Sequence, residues 1–123
     1  MTTILVIDDE PFLLNNIATI LEFENFEVVT TLDGKTALDI LQMYPIHLIL
    51  CDVLMHPIDG IDIFNSTRQN PTTMYIPFVF ITGIRWAASE VKIPSEAGYL
   101  VKPFSRTGLL DMVRQQLATR QHS

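Results

Sequence analysis

The sequence predicts an α/β domain, a doubly wound, five-stranded parallel sheet flanked by helices on both faces. Three observations carry this. Short apolar runs without alternation, at residues 4–7, 46–51 and 78–81, suit strands buried on both faces. Amphipathic stretches separate them, so strand and helix alternate along the chain. Connections of that length favour right-handed parallel crossovers. These three runs and a fourth at residues 99–101 end at polar side chains: Asp8-Asp9, Asp52, Thr82 and Lys102. Ligands of such sheets bind outside the carboxyl ends of the strands, which is where these groups fall.

Ile4-Leu5-Val6-Ile7 forms the first strand. Pro11 stands in the first turn of a helix, where its missing N–H costs nothing, and Leu13, Ile17, Ile20 and Leu21 make the apolar stripe. Phe26-Glu27-Val28-Val29-Thr30 alternates more, as an edge strand does. Asp33-Gly34 marks a turn. Ala37, Leu38 and Leu41 carry a second helix that ends before Pro45. The third strand runs into Asp52, and Asp59-Gly60 opens a third helix with Ile61, Ile63 and Phe64, closed by Asn70-Pro71. Pro77 lies near the start of the fourth strand, which ends at Thr82-Gly83. Trp86 to Ile93 allows two helical turns, cut short by Pro94. Tyr99-Leu100-Val101 is the fifth strand, and Ser105 caps a last helix bearing Leu109, Val113 and Leu117.

Length and composition set limits on function. The 123 residues fit one domain, 1–120, with 121–123 as a polar tail, and 48% apolar content supports a packed core. A net charge of −6 argues against direct binding of nucleic acid or anionic membrane. No apolar stretch approaches the ~18 residues of a membrane span, and Met1-Thr2-Thr3 leads into a strand without a basic leader. The lone Cys51 allows no internal disulfide, so a reducing, cytoplasmic setting is expected.

If the runs are neighbouring strands, Asp8, Asp9 and Asp52 converge. At about 5 Å apart, each like-charged pair costs roughly 3 kcal/mol at an effective dielectric of 20. Protons or a cation must relieve that repulsion. All-oxygen ligands suit Mg²⁺ or Mn²⁺, whereas tetrahedral zinc wants clustered Cys or His. Such an ion beside a carboxylate neutralises charge on a phosphoryl oxygen in transfer, and Lys102 offers a point charge for another oxygen. Each group alone has an ordinary role: Asp8 or Asp9 capping the first helix, Lys102 solvated, Thr82 ending a strand. Their combination at four strand ends carries the argument.

Other signals carry less. Gly34-Lys35-Thr36 resembles the end of a P-loop, but Val29 stands where its first glycine belongs. His47 and Cys51 share a strand face and read as core residues. Cys51 reads as a small buried apolar group. Met43, Met55 and Met74 read as packing or loop residues.

Four motifs in order bring a family into view: Ile4-Leu5-Val6-Ile7-Asp8-Asp9-Glu10-Pro11, Cys51-Asp52-Val53-Leu54-Met55 with Ile58-Asp59-Gly60, Phe80-Ile81-Thr82-Gly83, and Tyr99-Leu100-Val101-Lys102-Pro103-Phe104. Over essentially its whole length the chain resembles the CheY-like receiver domain of two-component response regulators. The resemblance implies a flavodoxin-like sheet in order 2-1-3-4-5. It implies that Asp52 is the phosphoacceptor for a sensor histidine kinase, a phosphotransfer protein or a small acyl phosphate. Asp9, Asp52 and the Leu54 backbone carbonyl would ligate Mg²⁺ (or Mn²⁺), with Asp8 acting mostly through water. Lys102 would pair with a phosphoryl oxygen, and its bond to Pro103 would be cis. Thr82 would swing toward the phosphoryl group and Tyr99 turn inward, repacking a face read by a downstream protein or effector domain. The chain would be no enzyme in the ordinary sense, only a phosphoacceptor that assists its own phosphorylation and dephosphorylation.

The chain departs from the family pattern in places. His56-Pro57 stands where the family usually has proline first, and His56 reads as a solvated loop residue. Pro94 interrupts the fourth helix, which is expected to be short or distorted. Leu54 and Ile84, both apolar, flank the expected path of hydrolytic water and imply slow self-dephosphorylation. Two alternatives fit the sequence less well. A haloacid-dehalogenase-type phosphohydrolase would place its nucleophile in an Asp-x-Asp pattern after the first strand, which Asp8-Asp9-Glu10-Pro11 does not fit. A non-phosphorylated adaptor would have lost an acid, the acceptor or the lysine, and all are present.

Overall fold

The computed structural model describes residues 1–83 and 92–121. Five strands alternate with helices: β1 (Thr3–Ile7), α1 (Pro11–Phe23), β2 (Glu27–Thr31), α2 (Gly34–Met43), β3 (Leu48–Asp52), α3 (Gly60–Arg68), β4 (Phe78–Thr82), β5 (Gly98–Val101) and α4 (Arg106–Gln121). The strands form one parallel sheet in the order β2-β1-β3-β4-β5. This is the order the receiver resemblance implied.

Side chains alternate across a strand, and the two resulting rows build two cores. Leu5, Ile7, Ile49, Cys51, Phe78 and Phe80 face α2 and α3, packing with Ala37, Leu41, Ile63 and Phe64. Ile4, Val6, Leu48, Leu50, Val79 and Ile81 face α1 and α4, packing with Leu14, Ile17, Leu21, Leu109 and Val113. β1, β3 and β4 therefore carry unbroken apolar runs, because both of their faces are covered. At roughly 1.5–3 kcal/mol for each large side chain fully buried, these strands anchor the domain.

Local chemistry sets the helix ends. The α3 start is a capping box, with Asp59 accepting from the Asp62 N–H and Asp62 from the Asp59 N–H. The Ser105 hydroxyl accepts from the Gly108 N–H, as a cap should. Three sequence expectations need correction. Asp33-Gly34 is no free turn: Asp33 caps α2, accepting from the Thr36 N–H, and Gly34 is its first residue. The buried centre of α1 is Leu14, Ile17 and Leu21, with Leu13 and Ile20 only at its margin. His47 is not a core residue. It precedes β3, half-buried, with Nδ1 accepting the Thr3 N–H at 2.9 Å. Cys51 and Met55 are buried, whereas Met43 is exposed.

The helix runs through Gln121. The expectations placed on Ile84, Trp86 and most of the fourth family helix fall on residues 84–91 and lie outside the described residues. No helix among the described residues is long and apolar enough to cross a membrane.

Candidate functional site

The winding reverses between β1 and β3, and strand register brings the acids together there. Ile7 pairs with Cys51, so the next residues along, Asp8 and Asp52, lie level across the gap. Asp52 pairs with Ile81 and Thr82 with Val101, so Thr82 and then Lys102 follow at the same edge. Backbone bonds fix the rim: Asp8 N–H to the Thr31 carbonyl at 3.2 Å, Val53 N–H to Ile81 at 3.2 Å, Lys102 N–H to Thr82 at 2.6 Å.

Carboxylate oxygens of Asp8, Asp9 and Asp52 all lie within 4.8 Å of one another. Lys102 Nζ sits 3.4 Å from Asp8 Oδ2 and 3.6 Å from Asp52 Oδ2. Asp8 is wholly buried and does not cap α1. Its Oδ1 accepts the Glu10 N–H at 2.8 Å, while Oδ2 has no hydrogen-bond partner among the described residues. The Leu54 N–H reaches Asp52 Oδ1 at 3.3 Å. An open cleft of about 1000 Å³, bordered by Asp9, Asp52, Leu54, Gly83 and Lys102, gives access from solvent. A Cβ on Gly83 would meet no atom of the described residues within 4 Å.

These positions explain the titration behaviour. Burial pushes Asp52 up to about 6 from the ordinary 3.8, Lys102 works against the rise, and Asp8 adds to it. Asp8 is raised too, chiefly by burial. Burial alone would lower Lys102, but attraction from Asp52, Asp8 and Glu10 outweighs it and the net shift is upward. The site therefore carries more negative charge than its lysine relieves. A buried carboxylate oxygen without a hydrogen bond, amid hard oxygen donors and room for water, fits a divalent cation such as Mg²⁺.

Thr82 is fully buried, and its Oγ1 has no hydrogen-bond partner among the described residues. Tyr99 is 53% exposed. The Lys102–Pro103 peptide is cis, as is His56–Pro57, and His56 is exposed.

Two residues escaped the sequence reading. Glu10 Oε2 lies 3.4 Å from Lys102 Nζ, a third carboxylate on that ammonium. Its place directly after Asp8-Asp9 was the available signal. Gly60, read only as a helix start, presses on Asp52: a Cβ there would collide with the Asp52 carbonyl oxygen and sit 3.0 Å from Val53 Cα. Its N–H also donates to the Val53 carbonyl at 2.9 Å.

The family profile of the response regulator receiver domain matches residues 4–114. The chain belongs to the response regulator receiver family. A response regulator receiver domain protein from Clostridium thermocellum has a TM-score of 0.87 at 25% identity, covering 99% of this chain and 98% of that one. The transcriptional regulatory protein CpxR of Escherichia coli K12 is 35% identical over 117 residues, which are 93% of this chain and 48% of CpxR. A probable cyclic di-GMP phosphodiesterase of Vibrio cholerae O1 is 33% identical over 123 residues, 96% of this chain and 27% of that protein. The receiver thus spans a quarter to a half of these curated relatives. Membership sets aside the phosphohydrolase alternative and gives the chain a part in phosphorelay signalling.

Proposed function

We propose that this receiver takes a phosphoryl group onto Asp52 and uses it to switch a partner-binding face. The observation that carries the reading is the gathering of Asp8, Asp9 and Asp52 within 4.8 Å, with the Lys102 ammonium 3.4–3.6 Å from Asp8 and Asp52. An Asp52 carboxylate oxygen attacks phosphorus as the phosphorus–nitrogen bond of a phosphohistidine breaks. With a small acyl phosphate, the phosphorus–oxygen bond to the acyl group breaks instead. Lys102 faces the arriving oxygens and holds one of them.

Asp9, Asp52 and the Leu54 backbone carbonyl are the groups that would hold Mg²⁺ (or Mn²⁺), with Asp8 acting mostly through water. Bound there, such an ion supplies positive charge that offsets charge on the transferred oxygens. Phosphorylation adds ~1.5–2 negative charges and three acceptor oxygens. The buried Thr82 Oγ1, lacking a hydrogen-bond partner, has reason to turn toward them, and the exposed Tyr99 ring to move inward. The repacked face around β5 and α4 then meets a downstream protein or effector domain. The phosphodonor is a sensor histidine kinase or a phosphotransfer protein, and the receiver unit comprises residues 1–120, with α4 continuing through Gln121 into the polar tail 121–123. Beyond assisting its own phosphorylation and dephosphorylation the domain turns over no substrate. Apolar Leu54 and Ile84 make phosphate loss slow.

The single tryptophan, Trp86, gives a test. Its fluorescence should respond to Mg²⁺ and then to beryllofluoride or acetyl phosphate in the wild type and not in Asp52→Asn. An equal response in the variant counts against Asp52 as acceptor.

A further inference from the structure

Glu10 sits where α1 begins, yet its side chain makes no cap bond to the helix. It reaches instead to Lys102, 92 positions away in the chain, placing Oε2 3.4 Å from Nζ. The ammonium then has three carboxylates around it, Asp8 at 3.4 Å, Glu10 at 3.4 Å and Asp52 at 3.6 Å. Of these contacts the one to Glu10 is a hydrogen bond, and those to Asp8 and Asp52 are ion pairs. Asp8 and Asp52 are buried members of the close acidic group, whereas the Glu10 side chain is 65% exposed and outside it. Of the described residues lining the cleft, Lys102 is the one cation and Glu10, Asp9 and Asp52 are the acids.

A phosphoryl group on Asp52 brings new oxygens to Lys102 in place of the Asp52 carboxylate, and they compete with the remaining carboxylates for the ammonium. Glu10 is the one with solvent to move into, and re-solvating its carboxylate costs least. We infer that Glu10 is a displaceable counter-ion, a positioning residue that occupies Lys102 in the unphosphorylated domain and releases it when Asp52 is modified. Glu10 thereby opposes phosphorylation and sets how readily the receiver is activated. The inference rests on Asp52 being the acceptor.

The test is the affinity of the intact chain for beryllofluoride in excess Mg²⁺, a phosphoryl mimic, measured in wild type, Glu10→Gln, Glu10→Asp and Asp52→Asn. Circular dichroism melts verify that each variant folds. An exposed ion pair of this kind gives an expected gain of about twofold to fivefold for Glu10→Gln. Glu10→Asp keeps the charge but shortens the reach, and should also bind more tightly than wild type. Unchanged or weaker binding by Glu10→Gln overturns the inference. So does wild-type affinity in Glu10→Asp, because then charge at the cleft mouth acts without contact to Lys102. Should the wild type itself fail to bind beryllofluoride, the acceptor reading falls and this inference with it. Wild-type binding that is lost in Asp52→Asn keeps the two failures apart.

Discussion

Replacing Asp52 should stabilise the metal-free domain. Asp52 is nearly buried, and its carboxyl titrates at about 6 when folded, against the ordinary 3.8. Between those values the folded state binds more protons than the unfolded chain. Stability is thus fullest below 3.8 and falls as pH rises through about 6. The difference converts to about 3 kcal/mol lost by pH 7. Asp52→Asn removes the charge and keeps the shape, so in chelator at pH 7 the variant should be more stable by up to about 3 kcal/mol. For a domain of this length that raises the thermal midpoint by roughly 10 °C. The assay is urea or thermal unfolding followed by circular dichroism, at pH 7 and pH 4. The gap should shrink toward zero at pH 4, where the wild-type carboxyl takes up its proton. Equal stability at pH 7 in chelator, or a gap undiminished at pH 4, would refute the reasoning.

Mg²⁺ at 100 times its dissociation constant should stabilise the wild type by about 2.7 kcal/mol, and a chelator should reverse this in thermal melts. Gly60→Ala forces a methyl against the Asp52 carbonyl and should cost about 1–3 kcal/mol in urea unfolding while weakening the beryllofluoride response. The Cys51 thiol is wholly buried and raised well above its usual range, first by burial, so iodoacetamide should label it only after denaturant unfolds the chain. Making Leu54 and Ile84 both polar should speed phosphate loss severalfold in a pulse-chase of phosphorylated protein. Little change would remove the role given to those two side chains.

Strand positions were legible in the sequence because a strand covered on both faces leaves no freedom in its composition. From Ile4 to Ile7 and from Phe78 to Ile81 every residue is buried. Once those runs are aligned in parallel, the residues just beyond them must meet at one edge, so Asp8, Asp52, Thr82 and Lys102 could be placed together. Helix phase was harder. In α1 the apolar side chains spread from Leu13 to Leu21, and the choice of Leu14 over Leu13 comes from packing against Ile4 and Val6. The Asp-Gly pair at 33–34 serves a turn or a helix start equally well, and only the Thr36 N–H decides it. Contacts between distant residues left no trace in spacing. Glu10 with Lys102 and Gly60 with Asp52 depend on how loops close over the sheet edge. His47 lies in an apolar run, yet it ends at the rim because β3 begins one residue later.

The central claim is chemical: oxygens from the ends of β1 and β3 cradle a cation beside a carboxylate that becomes an acyl phosphate. Intact-mass and peptide-mapping spectrometry after incubation with acetyl phosphate tests it most directly. The account predicts one phosphoryl increment, mapped to position 52, formed with Mg²⁺ and lost in chelator or in Asp52→Asn. No increment under those conditions, or one mapped to another residue, would contradict it.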